Sequence, residues 1–412
     1  MSFRAVFLSA FSVVLLLAAR QSFAQPGGTV SPDGANVVNV VDFGAKGDGL
    51  GDDAAPIQKA LDSGAALVTI PKGVYLVART LQIPSDVTLK ADPEAVIRLA
   101  DGAGTHARVF VLTNKNQGNG NRNITVEGGI WDGNNEHNHR GKDGDLNGYT
   151  GTAINFVNVK NLTLRDLTVR NPDAFSIRLG EVEDFLVENI VLDHTVIRPN
   201  QDGVHVGGFS QRGTIRNIRA LHPNTPNDDM IALNADDDVE RVLNLGMRRG
   251  PIRDILVEDI QAEGAYNFVR LLSQEARLEN IVVRRVSGTC RIYAVNMNRW
   301  RFPAGSGDIR NVRLEEFDVT KTPGSAPAQS LIHITLMVRD LYITDFQRNS
   351  PSEASKATTL LLDNGRTNTI QEGDGPPQEK TTAFSIPQGS IKALWVNRSP
   401  SVQPQHSDAS SK

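Results

Sequence analysis

Only one cysteine, Cys290, occurs in the 412 residues. An internal disulfide is therefore excluded, and stability has to come from a packed core. The chain also lacks a basic excess. Its formal net charge is −4, which disfavours non-specific nucleic-acid binding, because that needs a positive field to displace counterions. After the first twenty residues no apolar run approaches the ~20 residues needed to cross a bilayer, so a membrane span is not expected. Paired turn signals for frequent two-residue hairpins are missing too, which argues against an antiparallel sandwich.

The one strongly apolar stretch is at the start. Arg4 is followed by an apolar run from Ala5 to Ala19 and then by small residues at Ser22 and Ala24, the order of a secretory signal peptide. The expectation is a signal peptide over 1–24, cleaved near Ala24, a linker over 25–36, and a mature protein that is secreted or periplasmic in a bacterium. Removal of Arg4 and Arg20 makes the charge more negative still.

Beyond that segment one phrase keeps returning. It reads Asn123-Ile-Thr-Val, Asn161-Leu-Thr-Leu, Asp184-Phe-Leu-Val, Gly213-Thr-Ile-Arg, Asp254-Ile-Leu-Val, Asn280-Ile-Val-Val, Asn311-Val-Arg-Leu and Asp340-Leu-Tyr-Ile. From Asn161 onward the spacing is 23 to 31 residues, except for one interval of 41 that ends at Asp254. Such a unit is too short for strand–helix–strand and suits one coil of three short β-branched strands. Stacked coils make a solenoid with no internal linker. The fold class expected is all-β: a single-stranded right-handed parallel β-helix of about 8–10 coils over 37–398. Asn or Asp before each phrase suits the corner, where short polar side chains tolerate left-handed backbone. The run Asp52-Asp53-Ala-Ala-Pro-Ile-Gln-Lys-Ala-Leu61 predicts a helix with Ile57, Ala60 and Leu61 on one face, capping the first coil. Residues 399–412 read as a disordered tail.

A third strand per coil can be aligned through Ala153–Phe156, Phe175–Leu179, Val204–Val206, Ile231–Asn234, Val269–Leu271, Arg291–Tyr293 and Ile332–Ile334. With aliphatic residues inward, Asn155, Arg178, His205, Ala232, Arg270, Arg291 and His333 point outward as a ladder. Arginines in such a row suit carboxylate or sulfate groups on a polymer, or they pair with neighbouring acids on a solvated face. Two of these strands have acidic entries, Asn200-Gln-Asp202-Gly and Asn227-Asp228-Asp229-Met. In consecutive coils these bring Asp202, Asp228 and Asp229 together. Like charges so close raise one another's pKa, leaving one carboxyl as an acid and another as a base, which glycoside hydrolysis requires.

The pair Asn200-x-Asp202-Gly-Val-His-Val and Asn227-Asp228-Asp229-Met-Ile-Ala-Leu-Asn234 resembles the Asn-Thr-Asp-Gly and Asp-Asp-Cys-Ile-Ala motifs of polygalacturonase-type glycoside hydrolases. The opening Val41-Asp-Phe-Gly-Ala-Lys-Gly-Asp-Gly49 is similar to the start of many pectin-acting β-helix enzymes, so the resemblance covers about residues 37 to 300. It implies Asp228 as general acid, Asp202 and Asp229 as activators of water, inversion at the anomeric carbon and no metal or other cofactor. Two family motifs are altered. Gly-His-Gly becomes Gly264-Ala-Tyr266-Asn267-Phe268, and Arg-Ile-Lys becomes Arg291-Ile292-Tyr293. Since those motifs hold the sugar, polygalacturonic acid itself is not the expected substrate. Substrate contacts are expected from His205, Arg178, Arg270, Arg291, Tyr293, Asn234 and Tyr266, on an acidic, pectin-like polysaccharide bound by a monomer.

Two alternatives compete with hydrolysis. A polysaccharide lyase would need a base and a neutraliser such as arginine or calcium, and Asp236-Asp237-Asp238 could feed calcium or be a solvated acidic loop. A non-catalytic carbohydrate-binding solenoid would use the aspartates as turn residues only. His137 and His139 could bind a metal or belong to a polar loop beside the groove.

Overall fold

The computed structural model describes residues 29–30, 36–141, 148–298, 302–322, 329–348 and 357–399. The expected signal peptide, and the expected tail apart from Ser399, lie outside the described residues. The described chain is a right-handed parallel β-helix, 54% strand and 4% helix.

Each coil contributes to three stacked sheets, and the returning phrase forms the first. Val87, Ile124, Leu162, Phe185, Gly213, Ile255, Ile281, Val312 and Leu341 stack in register as one inward column. Eight of these nine positions are aliphatic or aromatic, which period two requires of a face turned to the core. Gly213 is the exception for a steric reason. A Cβ there would lie 2.0 Å from Cζ of Phe185, whose ring fills the space.

The corners explain the Asn and Asp at the head of each phrase. Asn123, Asn161, Asp184, Asp254, Asn280, Asn311 and Asp340 have φ between 47° and 60°, and Arg212 takes that place before Gly213. Left-handed backbone is costly for most residues and least so for Asn and Asp. The corner side chains also bond to one another along the axis: Asn311 Nδ2 donates to Asn280 Oδ1 at 2.8 Å, and Asn280 Nδ2 donates to Asp254 Oδ1 at 2.7 Å.

The third sheet runs from Leu81–Ile83 and Leu112–Asn114 through residues 154–157, 177–180, Val204–Gly207, Asp229–Asn234, 269–272, 295–297 and Ile332–Ile334 to Leu360–Leu362. Its inward columns are solidly apolar. Ile154, Ile177, Val204, Ile231, Val269, Val295 and Ile332 are all fully buried. Burying such side chains stabilises the fold by roughly 1.5–3 kcal/mol each, before the entropic cost of ordering the chain.

Both open ends are closed. The helix Ala54–Leu61 buries Ala54, Ile57, Ala60 and Leu61 over the first coil, and Thr29–Val30 pairs antiparallel with Asn36 and Val37 inside the expected linker. At the other end Ile391–Val396 runs antiparallel to the last strand of the first sheet, and Phe384–Ile386 does the same to Leu360–Leu362. Reversed strands complete the hydrogen bonds of a sheet edge and stop further stacking. Ser399 is tied to Asp340 through its N–H and its hydroxyl.

Candidate active site

The outward column of the third sheet, read by register, is Asn155, Arg178, His205, Ala232, Arg270, Asn296 and His333. Arg291 is therefore not a rung of the ladder. The third strand of that coil is 295–297, four residues later than the alignment placed it, because the coil makes a longer excursion between its second and third strands. Arg291 instead donates from its terminal nitrogen to Asn227 Oδ1 at 2.7 Å and from Nε to the Gly264 carbonyl at 3.1 Å, with Tyr266 5.4 Å from its guanidinium carbon.

Beside the ladder lies a second column in which Phe175, Asp202, Asp229, Asn267 and Tyr293 follow one another. Asp202 reaches its place because Gly203 lets the next coil press close; a Cβ there would sit 2.4 Å from the Met230 carbonyl oxygen. Asp228 stands just before Asp229, after a cis Thr225–Pro226 peptide. One carboxylate oxygen from each of Asp202, Asp228 and Asp229 lies within 4.8 Å of the other two.

Each aspartate has different partners. Asn200 Nδ2 donates to Asp228 Oδ2 at 3.1 Å. Asn267 Nδ2 donates to Asp229 Oδ1 at 2.7 Å, while Arg270 approaches Asp229 Oδ2 at 3.3 Å. Asp202 Oδ2 is 2.6 Å from His205 Nδ1, and the opposite ring nitrogen of His205 is 2.7 Å from Asp237 Oδ2. Burial pushes the Asp228 carboxyl well above the usual carboxylate range, and the charges of Asp229 and Asp202 push it further. Burial also raises Asp202, to about 6, although the His205 hydrogen bond opposes it. Burial works against a charged His205, but Asp237 and Asp202 on its two sides outweigh it and raise the imidazole to about 10. His205 is accordingly an imidazolium at neutral pH, stacked 4.2 Å from Phe175.

The ladder does not serve substrate along its whole length. Arg178 is 1% exposed. It donates to Asn155 Oδ1 at 2.8 Å and to the carbonyls of Leu243 and Leu245, so it is not a substrate contact. His205 is buried between two carboxylates and positions Asp202 without facing a groove. Asn234 is buried as well and donates to Asp237 Oδ1 at 3.1 Å. All three outward side chains are turned to partners within the protein. In the run Asp236-Asp237-Asp238 the first two residues are buried and partnered within the protein: Asp236 accepts from the backbone N–H groups of Gln274, Glu275 and Ala276 and Asp237 pairs with His205. His137 and His139 are exposed and sit 3.8 and 3.6 Å from Asp101 and Asp173, in a polar loop.

Arg270, Arg291, Tyr266 and Tyr293 do gather around the carboxylates. A cavity of about 380 Å³ is lined by Asn200, Asp228, Tyr266, Arg270, Tyr293 and Asn296, among others, a size suited to a small ligand or the end of a longer one. A cavity of about 840 Å³ near Tyr342 and Trp395 at the C-terminal end contains none of the three aspartates. Among the described residues the aspartate triad is the only acidic or His/Cys group dense enough to hold a metal. Its charge is already met inside the protein by His205 and Arg270, which fits proton chemistry better than cation binding. Asp237, Asn267 and Asn296 were missed in the sequence, although Asp237 stands in an acidic run within the one long repeat interval.

Fold and site together define a parallel β-helix with a buried three-carboxylate cluster at the mouth of a cavity. The family described as rhamnogalacturonase A/epimerase, pectate lyase-like, matches residues 37–174, a stretch that ends before the three aspartates. The pre-neck appendage protein of Bacillus phage phi29 is 33% identical over 132 residues, 32% of this chain and 15% of the phage protein. A polygalacturonase of Persea americana is 23% identical over 301 residues, 70% of this chain and 60% of the plant protein. Among solved structures, a family 28 exopolygalacturonase of Yersinia enterocolitica superposes with a TM-score of 0.54 at 17% identity, covering 77% of this chain and 66% of that one; at that identity the likeness concerns the fold. The chain spans less than two thirds of each of these proteins. Over these stretches the chain is similar to pectin-lyase-like β-helix proteins.

Proposed function

We propose that the protein is a glycoside hydrolase acting on an acidic, pectin-like saccharide. The observation that carries this reading is the divergence of environments within one cluster. Burial and the charges of Asp229 and Asp202 hold the Asp228 carboxyl well above its ordinary value, which suits an acid, while Asp202 is hydrogen-bonded to His205, which opposes the rise there. Asp228 protonates the leaving oxygen as the glycosidic bond breaks, and Asp202 with Asp229 takes a proton from the attacking water. Arg270 and Arg291 offer guanidinium groups to a sugar carboxylate. The similarity to a polygalacturonase over most of the chain supports a pectin-type substrate.

The carboxylate oxygens are closer than the ~6.5–9.5 Å separation typical of inverting enzymes. Spacing therefore gives no support to inversion, and the anomer of the first product has to be read by proton NMR. Secretion through a cleaved leader is part of the same proposal, supported by the pattern of residues 1–24.

The test is a product-resolved screen of the purified protein on polygalacturonate, rhamnogalacturonan and neutral plant glycans, beside Asp228→Asn. New reducing ends that vanish in the variant are the expected result. Ultraviolet absorbance from an unsaturated product would make the protein a lyase instead. Glycan binding with no turnover would favour a non-catalytic solenoid, the reading to which the phage appendage similarity lends weight.

A further inference from the structure

The longest interval between repeats, 41 residues, is where the chain departs from a plain solenoid. After the strand Asp229–Asn234 it leaves the coil, and a hydrogen bond of 2.9 Å from Gly250 N–H to the Ala235 carbonyl closes the neck of a loop spanning 235–250. This loop folds back over the third sheet. Leu243 is fully buried against Ala174 and Phe175. The Met247 thioether packs so closely on Gly180 and Gly207 that a Cβ at either would come within 2.7 Å of it. Arg178 is spent on the Leu243 and Leu245 carbonyls, and His205 on Asp237.

Two outward groups on the N-terminal side of the carboxylates, Arg178 and His205, are thus the anchors of the loop, holding it where a bound chain would otherwise lie. Asn155, Arg178, His205 and Ala232 are at most 2% exposed. On the C-terminal side Arg270, Asn296 and Tyr293 line the cavity next to Asp228, and Arg241 of the loop borders it as well.

We infer that the 235–250 loop closes the saccharide groove on one side of the aspartates, so that the protein accepts the end of a chain and not its middle. A polymer lying along the sheet can extend from Asp228 toward Asn296, but it meets Leu243 and Met247 in the other direction. The inference rests on the reading of the aspartates as the place of cleavage, and it adds the mode of attack: removal of short units from chain ends.

The test compares polygalacturonate and rhamnogalacturonan with free ends against the same polymers with both ends covalently blocked. Binding is followed by calorimetry with the full-chain Asp228→Asn protein, and products are sized with the unaltered protein. Loss of binding on blocking, with one short product size from the first turnover, is the expected result. A variant in which residues 238–246 are replaced by Gly-Gly should regain binding to blocked chains and release mixed sizes; circular dichroism establishes that it folds. Equal binding of blocked and free chains by the loop-intact protein, or mixed products from it, would overturn the inference whether or not the shortened variant folds. Chain-end binding without new reducing ends would remove the hydrolase reading and leave the closed groove standing. Binding of neither form would overturn both.

Discussion

Asn155, Arg178, His205 and Ala232 stand in the same column as Arg270, Asn296 and His333, with the same pleat and the same outward direction. The first four are at most 2% exposed, and of them Arg178 borders a separate cavity of about 260 Å³; Arg270 and the buried Asn296 line the cavity beside Asp228. Local geometry is shared, so the difference comes from what each side chain was given to satisfy. A buried guanidinium or imidazolium is tolerated only with acceptors around it. The 235–250 loop supplies carbonyls to Arg178 and a carboxylate to His205. On the other side Arg270 pairs with Asp229 and feels the charges of Asp228, Asp202 and Asp237, beside a cavity that can hold a ligand.

The two halves should respond differently to substitution. The largest effect is expected at their boundary. Asp228→Asn should lower turnover by about 10²–10⁴-fold, the usual contribution of a general acid, while raising the melting temperature at neutral pH. The sign follows from the raised pKa. A carboxyl held above its ordinary value stabilises the fold only while protonated, so folding at neutral pH carries a cost that the amide removes. A variant with unchanged turnover would take the acid role away from Asp228.

In the sealed half the consequence should fall on stability. His205→Ala leaves Asp202 and Asp237 buried and facing each other without their cation, a loss of about 3–5 kcal/mol if such pairs behave as others do. Denaturant unfolding measures it, and a near-neutral result would mean that the loop is not anchored through this residue. The same imidazole should make stability depend on pH. Its value is raised from 6.5 to about 10, so its contribution is complete below about pH 6.5 and is lost as pH rises toward 10. Melting temperature followed over that range should fall in the unaltered protein, and the His205→Ala variant should lack that part of the fall.

Activity should titrate differently. Asp202 acts deprotonated, so turnover should rise as pH increases through about 6, and it should fall again where Asp228 loses its proton. A pH–rate profile without the acid limb would remove Asp202 as base. The smallest effect is expected in the open half. Asn296→Ala should cost only about 0.5–1.5 kcal/mol of substrate binding, seen as a raised KM at unchanged kcat, with no change in melting temperature. A large stability loss there would erase the contrast between the halves.

Much of the architecture was legible in the residues alone, because a solenoid repeats its own grammar. The Asn and Asp corners, the alternation of aliphatic residues and the capping face of Ile57, Ala60 and Leu61 are local demands of backbone and burial, and each appears in the structure where the repeats put it. The meeting of Asp202, Asp228 and Asp229 follows from the same grammar, since equal positions in consecutive coils must stack. The Arg291 misplacement shows its limit. Between Glu263 and Asn267 the pairing with the next coil loses its regular register, so a count along the repeat puts Arg291 in the column where the structure has Asn296.

By itself, then, the amino-acid order determined the coil, its corners, its inward columns and the clustering of three carboxylates, since all of these depend on short-range periodicity. Only the tertiary structure decided which outward side chains see a ligand. That choice was made by a loop with no period of its own, whose carbonyls and Asp237 reach residues up to 67 positions away in the chain. Long-range satisfaction of buried charges, and not the direction of a strand residue, separates the sealed half of the ladder from the open one.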